Sequence, residues 1–168
     1  MASNEQQNSP REVIRTLFSY LEAQGQGDYM GEAVSQLEHS LQAAALAVDN
    51  GANEPTILAA LLHDVGRFIP EAKSLPPLIA PDGTSFGTER HETVGEKYLR
   101  GLGFPRDIYE VVGAHVWAKR YLCATEPGYW DSLSKLSKVT LELQVSFWRQ
   151  HELNLDNEKR KIREALSH

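Results

Sequence analysis

The run Glu54-Pro55-Thr56-Ile57-Leu58-Ala59-Ala60-Leu61-Leu62 leads without a break into His63-Asp64. Glu54-Pro55 marks the start of a helix, and from Ile57 onward that helix is apolar nearly all round, the composition of a central element. An imidazole and a carboxylate at the end of such a helix lie where water is scarce. An unpaired buried polar group costs roughly 1–3 kcal/mol, and a buried charge costs more. A metal ion satisfies both groups at once. Neighbouring helical residues point about 100° apart, so the two side chains share a site only if it lies beside the last turn. The rest of the chain must then surround this helix and carry further ligands to that turn.

Other helices are legible around it. Ser9-Pro10 reads as an N-cap and a first-turn proline, followed by Val13, Ile14, Leu17, Phe18 and Leu21 at helical spacing up to Gly25-Gln26-Gly27. A second helix carries Val34, Leu37, Leu41, Ala44, Ala45 and Val48, stops at Asn50-Gly51, and holds His39 among its apolar positions. Thr88-Glu89-Arg90-His91 opens a fourth, with Val94, Tyr98, Leu99 and Leu102 on one face and Gly103 as its stop. A fifth runs from Pro105 through Ile108, Val111 and Val112 to Ala114-His115-Val116. A sixth, beyond Pro127-Gly128, runs through Leu133, Leu136, Val139, Thr140, Leu143 and Phe147.

Between the third and fourth helices, residues 66–87 hold four prolines and three glycines (Gly66, Pro70, Pro76, Pro77, Pro81, Gly83, Gly87). That pattern predicts a long loop, either a lid or a solvated excursion. Strand-length alternation is absent. The expectation is an all-α helical bundle in one domain over 9–155, with a frayed N-terminus over 1–8 and a charged helical tail over 156–168.

Composition narrows the function classes. A length of 168 residues suits one domain with a real core. The net charge of −6 gives no basic footprint for nucleic acid. No apolar run approaches a membrane span, and Met1-Ala2-Ser3-Asn4-Glu5-Gln6 lacks the basic and apolar regions of a signal peptide. The single cysteine, Cys123, has no internal partner, which favours a reducing compartment. The expected location is the cytoplasm.

His39, His63, His91 and His115 stand on four different helices; His151 and His168 fall in the polar C-terminal region. Imidazoles from separate helices aimed at one point are how bundles build metal sites in their cores. Nitrogen and oxygen donors of this kind suit iron, manganese, zinc or nickel, and the shortage of cysteines argues against a structural zinc site. Asp64, with two oxygens, can bridge two ions. The pattern points to metal without selecting a reaction.

Several motifs then carry a resemblance: Tyr29-Met30-Gly31-Glu32, Gln36-Leu37-Glu38-His39, Leu62-His63-Asp64-Val65-Gly66, Arg90-His91-Glu92, Ala114-His115-Val116-Trp117-Ala118-Lys119-Arg120-Tyr121, and Leu133-Ser134 through Leu143-Gln144. Over about residues 10–144 the chain resembles the HD-domain superfamily. Within it, the chain is most similar to the PhnZ-like mixed-valent di-iron oxygenases, which are related to inositol oxygenase. That resemblance implies a pair of iron ions, Fe(II)/Fe(III), with His39, His63 and Asp64 on one, Asp64, His91 and His115 on the other, and Asp64 as the bridge. It implies that Tyr29 and Glu32 form a gating pair at the oxygen site. Lys119 would meet a phosphonate as a cation, with Ser137 and Thr140 as hydroxyl donors. Arg67 stands where some relatives carry a phosphonate-contacting histidine, with a solvated arginine as the alternative. The implied reaction uses O2 to cleave the C–P bond of 1-hydroxy-2-aminoethylphosphonate or its trimethylammonio analogue, giving phosphate and glycine or glycine betaine. Tyr29, Trp117 and Tyr121 are candidates to hold a trimethylammonium by cation–π contact.

The resemblance departs after Gln144. Relatives continue with a glycine-containing turn and a helix bearing a last aspartate ligand and an arginine, whereas Val145-Ser146-Phe147-Trp148-Arg149-Gln150-His151 follows here. Asp131 and Asp156 are the aspartates left downstream of His115. The competing expectations are therefore an HD-type metal-dependent phosphohydrolase, or a truncated HD paralogue with weak or no catalysis.

Overall fold

The computed structural model describes residues 9–24 and 34–150, leaving aside the side chains of Gln24 and of 145–150. The expectations for residues 1–8, for Tyr29 and Glu32, and for the tail 156–168 lie outside the described residues. The elements are α1 (Pro10–Gln24), α2 (Gln36–Asp49), α3 (Glu54–Leu62), two 3₁₀ turns (Val65–Arg67 and Pro70–Ser74), β1 (Pro77–Ile79), β2 (Ser85–Thr88), α4 (His91–Gly101), α5 (Arg106–Thr125), α6 (Tyr129–Ser132) and α7 (Lys135–Gln150). The fold is the expected helical bundle.

Local chemistry sets the helix starts. Ser35 and Glu38 form a capping box: Glu38 N donates to Ser35 Oγ at 3.2 Å, and Ser35 N donates to Glu38 Oε2 at 2.6 Å. Asn53 caps α3 by accepting from Thr56 N at 3.0 Å. Such caps stabilise a helix by about 1 kcal/mol, and here they also fix the phase in which His39 and His63 arrive.

The core gathers Leu17 and Leu21 of α1, Ala59 and Leu62 of α3, Val65, Phe68 and Ile69 after it, Leu99 of α4, and Ile108 and Val112 of α5. Burying a leucine such as Leu62, fully enclosed, stabilises by roughly 1.5–3 kcal/mol. α3 packs against both α2 and α5, and α4 packs against α5 and the first 3₁₀ turn. This makes the end of α3 the meeting point of four elements. No helix among the described residues is long and apolar enough to cross a membrane.

The structure corrects three boundaries. The stretch 66–87 is not a plain loop: β1 and β2 pair antiparallel, Pro77 opposite Thr88 and Ile79 opposite Ser85, with an irregular register between. Asp82 Oδ1 accepts from Thr84 N at 2.9 Å and Gly83 adopts φ 86°, which closes the turn. Strands of three and four residues are too short to show alternation. The fourth helix starts at His91 rather than Thr88, because Thr88 ends β2 and Arg90 turns the chain at φ 56°. The sixth helix divides at Leu133-Ser134, where the Ser134 hydroxyl accepts from Ser137 N at 3.1 Å and starts α7.

Candidate metal centre and its cavity

The four histidines reach one point from four elements. His39 lies in α2, one residue past its capping box. His63 is the C-cap of α3, and Asp64 follows at φ −98°, outside the helix. His91 is the first residue of α4, and His115 lies inside α5.

Two clusters share Asp64. His39, His63 and Asp64 form one; Asp64, His91 and His115 form the other; within each, one nitrogen or oxygen atom per residue lies within 4.8 Å of the others. His39 Nε2 is 3.1 Å from His63 Nε2, and His91 Nε2 is 3.2 Å from His115 Nε2. Asp64 Oδ2 stands 3.4 Å from His63 Nε2 and 3.9 Å from His39 Nε2. Its Oδ1 stands 3.0 Å from His91 Nε2 and 3.7 Å from His115 Nε2. Each oxygen therefore faces one histidine pair.

The donor set fits a cation. His63 Nδ1 donates to the Ala60 carbonyl and His115 Nδ1 to the Val112 carbonyl, both at 2.8 Å. In the neutral ring that tautomer leaves Nε2 as a lone pair, aimed at the cluster. Asp64 is 2% exposed, and its Oδ2 is buried with no hydrogen bond among the described residues. Inward lone pairs beside an anionic oxygen are what a divalent ion satisfies.

Charge reinforces the arrangement. Burial opposes the ionised form of Asp64, but the Arg67 guanidinium, with Nε 3.1 Å from Oδ1, and the His63 ring hold its carboxyl well below the usual range. For His63, burial pushes the ring down, and the charge and hydrogen bonding of Asp64, aided by Ala60, outweigh it and raise it. His91 is pushed down, first by burial and then by Arg67. His115 is pushed well down by burial, with His63 and His91 adding to the effect. Two of the rings thus favour the neutral, ligating form.

A cavity of about 370 Å³ opens beside the centre. His39, His63 and His115 reach its wall, along with Ala43, Ala59, Ala60, Ala114 and Ala118. Lys119, one turn beyond His115, and the Tyr129 side chain also line it. The remaining sequence candidates are placed elsewhere. Arg67 turns to Asp64 and does not line the cavity. Ser137 and Thr140 stand on α7 outside the lining, and the Thr140 hydroxyl donates to the Leu136 carbonyl at 3.1 Å and lies 3.2 Å from that of Ser137. Trp117 has Arg120 over its ring at 4.9 Å, and Tyr121 is half exposed; neither lines the cavity. Asp131 is exposed on α6, and Asp156 lies outside the described residues.

Two residues escaped the sequence reading. Tyr129 follows the Pro127-Gly128 turn, and only the docking of α6 on α5 brings it to the cavity. Glu92, beside His91, is 4% exposed; the sequence marked it within the Arg90-His91-Glu92 motif but gave it no role of its own.

The HD domain family model matches residues 37–163. An uncharacterised protein of Acanthamoeba polyphaga mimivirus is 38% identical over 140 residues, 83% of this chain and 62% of that protein. A [1-hydroxy-2-(trimethylamino)ethyl]phosphonate dioxygenase (glycine-betaine-forming) of Leisingera caerulea is 39% identical over 132 residues, 79% of this chain and 64% of that enzyme. A hydroxymethylphosphonate dioxygenase of Gimesia maris is 40% identical over 137 residues, 81% of this chain and 64% of that enzyme. The chain thus spans under two thirds of the length of these relatives.

Proposed function

The chain belongs to the HD domain family, and on that premise we propose that it is a di-iron oxygenase that cleaves the C–P bond of a small 1-hydroxyphosphonate. One observation carries the reading: the two oxygens of Asp64 divide four histidines into two clusters beside a cavity that holds a lysine. Two of the relatives are named for dioxygenases whose substrates share a hydroxyl on the carbon bonded to phosphorus. Nitrogen and carboxylate donors suit iron.

In this reading His39, His63 and Asp64 hold one ion and Asp64, His91 and His115 the other. The iron pair would supply activation of dioxygen. The protein's own residues do the rest. The Ala60 and Val112 carbonyls fix the tautomers of His63 and His115. Arg67 keeps Asp64 ionised in a buried setting. Lys119 gives the phosphonate a charge-assisted partner, and the alanines give that pairing an apolar surround. Over the full reaction the hydroxyl-bearing carbon becomes a carboxylate, phosphorus leaves as phosphate, and one O2 provides the two added oxygen atoms. Tyr29 and Glu32 gate the oxygen site by the family pattern.

The test is anaerobic iron loading followed by oxygen uptake with hydroxymethylphosphonate and with 1-hydroxy-2-(trimethylamino)ethylphosphonate. We expect two irons per chain and phosphate released mole for mole with the O2 consumed. Phosphate release without oxygen uptake would instead make the protein a hydrolase.

A further inference from the structure

Two histidines of the centre have their outer ring nitrogen held by the carbonyl three residues earlier, His63 by Ala60 and His115 by Val112. His91 lacks that option. It is the first residue of α4, so the residue three before it is Thr88, the end of β2, and Arg90 turns the chain between them at φ 56°. The Nδ1 of His91 is buried and makes no hydrogen bond among the described residues. Facing it at 3.6 Å is Glu92 Oε2, also buried and also without a hydrogen bond among those residues. Two such atoms left side by side are each destabilising. The gap is a few tenths of an ångström beyond hydrogen-bond reach.

We propose that Glu92 is the positioning residue for His91, accepting a hydrogen bond from the N–H that Nδ1 must carry once Nε2 coordinates a metal ion. The proposal rests on the metal-centre reading above. With Nε2 only 3.0 Å from Asp64 Oδ1, the ring offers its Nε2 proton to Asp64 in the absence of a cation. Coordination at Nε2 moves the proton to Nδ1, and Glu92 Oε2 stands where that proton emerges. A carboxylate behind a ligating imidazole fixes the tautomer and the ring plane together. The first turn of α4 also suits a carboxylate, since the helix dipole favours negative charge there.

The experiment compares the wild-type chain with Glu92→Gln, using zinc as a diamagnetic probe and ¹⁵N-labelled histidine. In the zinc-loaded wild type, the His91 Nδ1 proton, assigned by its loss in His91→Gln, should resonate far downfield. In Glu92→Gln it should move upfield, and affinity for one of the two zinc ions should fall about 10–100-fold. The metal-free melting temperature should change little, the small loss being that of a negative charge at the start of α4; a purely structural role would lower it while leaving the zinc affinity and the His91 resonance unchanged. Should Glu92→Gln fail to fold, Glu92→Asp, which shortens the reach to Nδ1, is scored by the same affinity and resonance. Zinc affinities equal to wild type, or an unmoved His91 resonance, would overturn the proposal alone. Absence of zinc binding by the wild-type chain would overturn it together with the metal-centre reading.

Discussion

Gly66 lies directly against His91: a Cβ built on Gly66 would overlap the His91 carbonyl oxygen and stand 2.8 Å from the Gly95 amide nitrogen. The turn that carries Asp64 and the helix that carries His91 therefore meet backbone to backbone. Gly95 answers from the other side, where a Cβ would fall 3.2 Å from Gly66 N. No side chain separates the two elements, which is how Asp64 Oδ1 comes to stand 3.0 Å from His91 Nε2.

Gly66→Ala should therefore push α4 off the turn. Forcing a methyl into a packed backbone crossing costs about 1–3 kcal/mol. We expect a lower melting temperature and, in the protein that remains folded, loss of metal from the Asp64–His91–His115 cluster before the other. Thermal melts and metal analysis of the same samples check this, and wild-type values in both would show that the contact yields freely.

Asp64→Asn keeps the shape of the shared side chain and removes its charge. Both clusters should lose affinity together, since each uses one of its oxygens. The iron count per chain should drop from two toward none after dialysis, whereas His39→Ala should leave the second cluster able to bind. Retention of two irons by Asp64→Asn would break the bridging assignment.

Stability of the metal-free protein should fall on acidification. His91 and His115 are both held below 6.5 in the fold. The unfolded chain therefore binds more protons below pH 6.5, and stability is lost as pH falls through that value toward the folded pKa values. Asp64, held well below 3.8, contributes stability above that pH and loses it as pH falls through its folded pKa. His63 acts in the opposite sense, stabilising below 6.5 and losing that contribution as pH rises through its raised folded value. Two depressed rings against one raised ring predict a lower urea midpoint at pH 5 than at pH 7. Equal midpoints would contradict the balance.

Lys119→Met keeps much of the stem and deletes the cation from the cavity wall. A charge-assisted bond to a phosphonate contributes roughly 1.5–3 kcal/mol, so KM for a 1-hydroxyphosphonate should rise about 10–100-fold with iron content unchanged. Steady-state oxygen uptake across substrate concentrations reads this directly. An unchanged KM would remove Lys119 from substrate binding.

The residues show clearly how far local information reaches. Helical spacing over α1, α3 and α5, the Asn50-Gly51 stop, and the Ser9-Pro10 and Glu54-Pro55 starts all act within three or four residues, and the structure places those elements where the pattern does. The β1–β2 hairpin was missed because three- and four-residue strands show no period. The resemblance made Arg67 a candidate phosphonate contact, and the structure places its Nε 3.1 Å from Asp64 Oδ1. Nothing local tells an arginine which of two nearby anions it will meet.

By itself, the sequence determined the mostly helical class, the central apolar helix ending in His63-Asp64, and the identity of the four histidines that converge. Only the tertiary structure decided that His39 and His63 pair at 3.1 Å and His91 and His115 at 3.2 Å, and that each pair faces its own oxygen of Asp64. The tertiary structure alone also placed Glu92 behind His91 and Tyr129 in the cavity. The reason is range. Caps and periodicity are set by neighbours along the chain, whereas each of these histidine pairs joins residues 24 positions apart, and their approach depends on how whole helices pack, down to a glycine with no side chain to hold them apart.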